Sequence, residues 1–105
     1  MVMTVLDSHV EEDKVAALQS AYAAAVTSGK RPPGLVRSEL LRDARDPTHW
    51  RIQTWWESRQ ALEAMRSGGG TPAGVLMFRA AGAEPALTVF EVADDLPRAA
   101  ATQLF

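Results

Sequence analysis

Hydrophobic positions recur along this chain with two different periods. Apolar residues at every second position indicate strands, and apolar residues at every third or fourth position indicate helices. The two periods alternate in the order strand, helix, strand, strand, helix, strand. This order is typical of the ferredoxin-like split βαβ arrangement, an α+β fold with one four-stranded antiparallel sheet and both helices on one face. The segments assigned to these elements are Met1–Leu6, His9–Ser28, Leu35–Asp43, His49–Glu57, the helix between Ser58 and Gly68, and Ala86–Val92.

Local signals mark both ends of the first predicted helix, and the start and end of the second, for which Ser58 is the predicted N-cap. Ser8 with Glu11 three positions later predicts a capping box at the helix start, and Gly29 stands where a C-terminal glycine cap is expected. The glycine run Gly68–Gly70 predicts a flexible connector, with a lid over a pocket as the alternative. The apolar patch Val75–Phe78 predicts a turn of helix beneath the loop.

The third predicted strand, HWRIQTWWE, contains all 3 tryptophans of the chain. Successive side chains of a strand point to opposite faces, so this strand has two sides of different character. The first side is largely apolar, and we expect it to lie beneath the helices. It consists of Trp50, Ile52, Thr54 and Trp56. The second side, which we expect the helices to leave uncovered, consists of His49, Arg51, Gln53 and Trp55.

A tryptophan on an uncovered sheet face favours association with another molecule, because exposed apolar surface usually marks an interface. The simplest closed arrangement is a two-fold dimer in which the open faces of two sheets pack together. The predicted interface residues are therefore Trp55, Arg51 and Gln53, and the predicted partner is a second copy of the chain.

Composition indicates a single soluble domain over residues 1–105, with an ordered core at about 1–94 and a polar tail over 95–105. Apolar residues make up 47% and charged residues 23% of the chain, which is ordinary for a globular protein. The net charge of −2 shows no basic stripe, so we expect no nucleic-acid partner. The chain has no cysteine, no apolar leader and no stretch long enough to span a bilayer, which predicts a cytoplasmic protein without a membrane partner.

Several segments resemble the antibiotic biosynthesis monooxygenase family. They are HWRIQTWWESRQALEAM, the preceding GLVRSELLRDARDP, and the later TPAG and MF. The most specific part is the step from Trp56 through Glu57 and Ser58 into a short helix that contains Ala61 and Leu62. The resemblance covers most of the chain, from the first strand to the last.

The resemblance implies a homodimeric α+β barrel. Family members with known chemistry oxidise aromatic polyketide or quinol-like substrates with dioxygen and without metal or flavin, and close relatives degrade haem. The resemblance also implies that Trp56 lines a ligand pocket between the sheet and the helices. The haem-degrading relatives have an asparagine on the first strand and a histidine nine or ten positions after that tryptophan, where this chain has Met65 and Arg66 and a first strand without asparagine. We therefore expect no haem and no other cofactor.

A small planar aromatic ligand bound between sheet and helices would contact side chains from several elements. Trp50 and Trp56 would provide stacking walls, although both would equally serve as core, which is the more common role for Trp50. The Tyr22 hydroxyl needs a partner, which Thr54 or a ligand oxygen would supply. The candidate substrate-binding residues are Trp56, Tyr22, Thr54, Trp50, Met65 and Phe78.

His49 is the candidate catalytic residue. An imidazole with an ordinary pKa of about 6.5 suits proton removal from a phenol. For a lone histidine beside a turn, hydrogen bonding at a surface or an interface is the more common role. His9 lies far away in sequence, and no HxH or HExxH spacing is present, so we predict no metal site.

Two functions remain open on the sequence alone. The first is a cofactor-independent monooxygenase, an oxidoreductase that acts on a planar aromatic or quinol-type small molecule. The second is a non-enzymatic dimer of the same superfamily that binds a small ligand or accompanies a larger enzyme. No catalytic dyad, triad or metal constellation is visible, so the activity follows from the resemblance alone.

Overall fold

The computed structural model describes residues 1–96, which form four strands and three α-helices. The order in sequence is strand, helix, two strands, two helices and a final strand. The elements are β1 (Val2–His9), α1 (Val15–Ser28), β2 (Leu35–Arg42), β3 (His49–Trp56), α2 (Arg59–Ser67), α3 (Ala73–Ala80) and β4 (Ala86–Glu91). A short 3-10 turn, Glu12–Lys14, precedes α1.

The four strands form one antiparallel sheet in the order β2-β3-β1-β4. This is the predicted ferredoxin-like α+β fold. The central pair is β1 and β3, whose register places Val2 opposite Trp56 and His9 opposite His49. An irregularity between Leu35 and Arg37 interrupts the pairing of β2 with β3 near one end.

The core lies between the sheet and the helices, in two clusters. The larger joins Trp50 and Ile52 of β3 to Leu18 of α1 and Phe78 of α3. The smaller joins Val2, Trp56 and Leu62. The predicted helix-covered side of β3 is confirmed, because Trp50, Ile52 and Trp56 are all buried.

The start of the first helix differs from the prediction. Ser8 remains in β1, which continues to His9, and the helix begins only at Val15 after the 3-10 turn. The capping-box prediction is wrong because Ser8 is held by sheet pairing opposite Trp50 and its hydroxyl donates to the carbonyls of His9 and Glu84.

The predicted ends of the two helices are confirmed. Gly29 caps α1 in the left-handed conformation, with φ of 68°. The Ser58 hydroxyl accepts from the amide of Ala61 at 3.1 Å and so caps α2.

The apolar patch after the glycine run forms a full helix, α3, rather than a single turn. It packs beside α1 and approaches β1 closely at Gly74. A methyl group on Gly74 would lie 2.6 Å from Leu6 Cδ1, so a larger residue there would require the end of the Leu6 side chain to move. The predicted tail from residue 95 lies mostly outside the described residues.

Candidate functional site

A cavity of about 450 Å³ opens between the sheet and the helices. Its walls come from both core clusters, with Leu6 and Ile52 from one and Trp56 and Met65 from the other. Most of the remaining wall is apolar and comes from α1, α3 and the turn before β2. The volume lies within the range of small-molecule sites, and the mixture of apolar walls with a few polar groups is typical of them.

Three hydroxyl side chains form a row across the floor of the cavity. The sheet register places Thr4 of β1 opposite Thr54 of β3, and Thr54 opposite Ser38 of β2. Directly opposite residues share a face of the sheet, so all three side chains point toward the helices. The Thr54 hydroxyl donates to Ser38 Oγ at 3.3 Å. We call Thr4, Thr54 and Ser38 the hydroxyl row.

Two aromatic side chains are hydrogen-bonded to the two ends of this row. Tyr22 of α1 donates its hydroxyl to Ser38 Oγ at 3.1 Å, and the indole of Trp56 donates Nε1–H to Thr4 Oγ1 at 3.2 Å. Trp56 is only 4% exposed, so its indole nitrogen would be costly to leave without this partner. The hydrogen bonds hold both aromatic side chains in defined orientations against the cavity.

Among residues 1–96, charged residues line the cavity only at the turn between α1 and β2. Lys30 and Arg31 contribute to the wall, and no aspartate, glutamate or histidine is among the lining residues of the described chain. The guanidinium of Arg31 donates to the backbone carbonyl of Val36 at 2.9 Å, which anchors that side chain. The cavity is therefore apolar, with hydroxyls on its floor and two cations in its wall.

The structure brings four of the six predicted substrate-binding residues together at this cavity. Tyr22, Thr54, Trp56 and Met65 line it. Trp50 and Phe78 do not, because both are buried in the larger core cluster and the indole of Trp50 donates to the carbonyl of Pro47. We therefore correct their assignment from ligand contact to core.

His49 lies on the other face of the sheet, away from the cavity. Its Nε2 contacts Asp7 and its Nδ1 lies 3.2 Å from Asp43 Oδ2, while Arg51 pairs with Asp7 at 2.8 Å. The ring of His9 stacks on that of His49 with centroids 5.1 Å apart. The prediction that His49 is a general base is not supported at this cavity. Its hydrogen bonds agree with the alternative, a polar role on the open face.

The electrostatics of this cluster favour charged side chains. Hydrogen bonds to Asp7, and next to Asp43, raise the pKa of His49 above its usual value. Partial burial acts to raise the pKa of Asp7, but the hydrogen bonds from His49 and Arg51 outweigh it and the pKa is lowered. The pKa of Asp43 is also lowered, by the backbone amide of Arg45 and by His49. The two carboxylates therefore favour the protonated form of His49.

The open face also has an apolar row. Met3 of β1 lies between Trp55 of β3 and Phe90 of β4, and Phe90 is 47% exposed. The Arg37 guanidinium lies 4.5 Å from the ring centroid of Trp55. Gln53 is next along the strand and accepts from Arg51 at 3.4 Å. The predicted interface residues thus share this face with further apolar side chains, and the dimer itself stays a prediction.

The sequence interpretation missed the hydroxyls of Thr4 and Ser38 and the two cations. Thr4 and Ser38 lie in strands whose register with β3 has no signal in a single sequence. Lys30 and Arg31 precede two prolines and resemble an ordinary polar turn. Only the packing of the α1–β2 connection over the sheet shows that they belong to the cavity.

The sequence matches the antibiotic biosynthesis monooxygenase family over residues 1–70. The chain belongs to this family. The match contains β1, the cavity-lining strands β2 and β3, and α2, so most of the site lies within the region that defines the family. No curated protein is similar enough in sequence to match the chain.

Solved structures of similar fold include family members of differing chemistry. A protein from Deinococcus radiodurans assigned to the same family has a TM-score of 0.72 at 14% identity, covering 92% of this chain and 97% of its own. SnoaB, a cofactor-independent oxygenase from Streptomyces nogalater, has a TM-score of 0.68 at 21% identity, with coverages of 92% and 97%. MhuD, a haem degrader from Mycobacterium tuberculosis, has a TM-score of 0.65 at 22% identity, with coverages of 92% and 100%. At these identities the similarity shows the fold.

Because the family includes oxygenases, membership supports a monooxygenase-like role. The cavity does not fit histidine ligation of haem, since no histidine or cysteine is among its lining residues and Met65 stands nine positions after Trp56. Within residues 1–96 no cluster of histidine, aspartate and glutamate could hold a metal ion. In the same region, none of the helices has the length and apolar character that crossing a bilayer requires.

Proposed function

We propose that this chain is a cofactor-independent monooxygenase that binds a planar aromatic, quinol-type molecule in the cavity and oxidises it with dioxygen as a homodimer. The observation that carries the proposal is the cavity, which is lined by a hydrogen-bonded tryptophan and a row of hydroxyls. The chain that forms this cavity belongs to a family of monooxygenases. A ring methylene of the substrate would become a carbonyl. One oxygen atom enters the substrate, and the other leaves with the two hydrogens as water.

The residues of the cavity would act by binding and orientation. The flat face of Trp56 and the side chains of Ile52 and Met65 suit an aromatic ring system, whose burial would provide most of the affinity. The hydroxyls of Tyr22 and Ser38 would hydrogen-bond to phenol or carbonyl oxygens of the substrate. Holding an electron-rich ring in one orientation and away from bulk water is the main contribution such a site can make to the reaction.

The proposal is tested by measuring oxygen uptake with anthrone and a set of hydroquinones in aerobic buffer. We expect uptake faster than in the protein-free blank, with a product heavier than anthrone by one oxygen and lighter by two hydrogens. The product should carry the label when the reaction is run in ¹⁸O₂. Uptake equal to the blank for every compound, in protein that binds them, would rule out the oxygenase.

The second candidate is a ligand-binding protein without catalysis. One observation favours it, since no carboxylate or imidazole from residues 1–96 lines the cavity to accept a proton. Oxygen uptake, measured together with a binding titration of the same compounds, separates the two functions. Binding of an aromatic compound without oxygen uptake supports the carrier or accessory role, whereas turnover supports the enzyme.

A further inference from the structure

We propose that the aromatic ligand of this cavity is an acid, whose carboxylate is bound by Lys30 and Arg31 at the α1–β2 turn. This inference rests on the proposed function, because it names the chemical class of the molecule that the same cavity takes. It assigns specificity to two residues whose charge the cavity does not itself balance.

The first step of the argument is the unbalanced charge of the wall. Lys30 and Arg31 line the cavity, and no acidic residue from the described part of the chain lines it with them. Within residues 1–96 neither cation forms a salt bridge, although most arginines there do. The paired arginines are Arg37, Arg51, Arg59, Arg66 and Arg79. Both side chains are exposed at the mouth of the cavity, and the fields of two adjacent cations add there, which favours binding of an anion.

The second step is the position of the cations relative to the rest of the site. Lys30 and Arg31 come from the turn that follows α1, whereas the hydroxyl row lies on the sheet floor. Apolar side chains from α1 and β2, including Val26 and Leu35, line the same cavity. A ligand that satisfies all three regions has an apolar ring body, neutral oxygens toward the hydroxyls and one anionic group toward the turn.

The third step is the preparation of Arg31 for this contact. Its Nη2 donates to the carbonyl of Val36, which fixes the guanidinium beside β2 while leaving other N–H groups free for a carboxylate. Pro32 and Pro33 follow directly and restrict the backbone of the turn. The Arg31 guanidinium is therefore partly fixed before an anion binds, and less conformational entropy is lost when it does.

The test compares two ligands that differ in one charge, anthraquinone-2-carboxylate and anthraquinone-2-carboxamide, by calorimetric titration of the full chain. We expect the carboxylate to bind about fivefold to tenfold more tightly, as two partly exposed ion pairs would give. The preference should shrink when salt is raised from about 0.05 M to about 0.5 M. It should disappear in the double variant K30Q/R31Q and persist in R31K.

The matched control is K14Q/R45Q, which removes the same charge from two exposed cations that do not line this cavity. It should keep the preference for the carboxylate. Equal binding of both ligands to the unsubstituted protein, or equal loss of the preference in both double variants, would overturn the inference and leave the aromatic site in place. If neither anthraquinone and none of the quinols binds, the proposed function fails as well.

Discussion

At the scale of single residues, Trp50 and Trp56 form a natural matched pair. Both are buried on the same side of β3, and each donates its indole N–H at 3.2 Å, Trp56 to Thr4 in the cavity and Trp50 to Pro47 in the core. We expect W56F to reduce aromatic-ligand affinity about tenfold, because it removes both a stacking surface and the hydrogen bond that orients the wall.

We expect W50F and W56F each to lower the free energy of unfolding by about 1 to 3 kcal/mol. W50F should keep its affinity for the aromatic ligand. Calorimetric titration and thermal unfolding of both variants separate the two effects. An equal fall in affinity for W50F and W56F would mean that general destabilisation, rather than contact with ligand, explains the result.

His49 gives a prediction about pH. Its pKa is raised by Asp7 and Asp43, so its contribution to stability is complete below its ordinary pKa of 6.5 and is lost as the pH rises through the raised value. The lowered pKa values of Asp7 and Asp43 act in the opposite sense, because their contributions are present above 3.8 and are lost as the pH falls through the lowered values. The cluster is therefore most stabilising between these limits.

We expect the free energy of unfolding to fall as the pH rises above about 6.5, the ordinary pKa of His49, and to fall less in H49Q. Urea unfolding at fixed protein concentration measures the slope. The control H9Q removes the stacked ring but keeps the contacts of His49 with Asp7 and Asp43, so it should retain most of the slope. A slope in H49Q as steep as in the unsubstituted protein would exclude His49 as its cause.

The site could be predicted from the sequence only where one element carried the signal. The two faces of β3 follow from strand alternation, which predicts Thr54 and Trp56 on the helix-covered side, where the cavity lies. The error for Trp50 has a physical reason, since two residues on the same face of a strand can lie against different clusters. The hydroxyl row needed the register of three strands, which no local pattern contains.

At the scale of elements, the connection before β2 depends on Gly34. Its φ is 82°, and a methyl group there would collide with the side chain of Ala61 in α2. We expect G34A to cost about 2 to 4 kcal/mol, from backbone strain together with the displaced contact between the turn and α2. Gly29, with φ of 68° and open space around it, is the matched position.

The G29A variant should cost only about 1 to 2 kcal/mol, because backbone strain is its main effect. Chemical denaturation of both variants measures the difference. Equal losses would show that the turn can move away from α2 at little cost.

The order of the elements other than α3, and most of their boundaries, could be predicted because hydrophobic periodicity is present in each of these segments. The helix cap at Ser58 and the glycine at the end of α1 are local signals, and both operate as expected. The predicted start of α1 is wrong because the serine and glutamate of a capping box are also compatible with the end of a strand. The long-range pairing of β1 with β3 and β4 favours the strand. Tertiary contacts override local propensity there.

At the scale of the whole molecule, the sheet has one face covered by helices and one that bears both a polar cluster and an apolar row. The row formed by Trp55, Met3 and Phe90 crosses three strands. A monomer would leave this row in water, whereas a two-fold dimer would cover it with the same row of a second copy. We therefore expect sedimentation at micromolar concentration to give twice the mass of the chain.

A charge placed in that row should separate the copies. We expect F90E to shift the protein to a monomer, because the proposed interface would bury the introduced carboxylate of each copy against the apolar row of the other. Leu76 on α3 is the matched control, since it is 52% exposed, close to the 47% of Phe90, but lies on a helix rather than on the open sheet face. L76E should remain a dimer. Dissociation by L76E alone would place the interface on the helix-covered side of the sheet. Dissociation by both substitutions would contradict an interface confined to the open face.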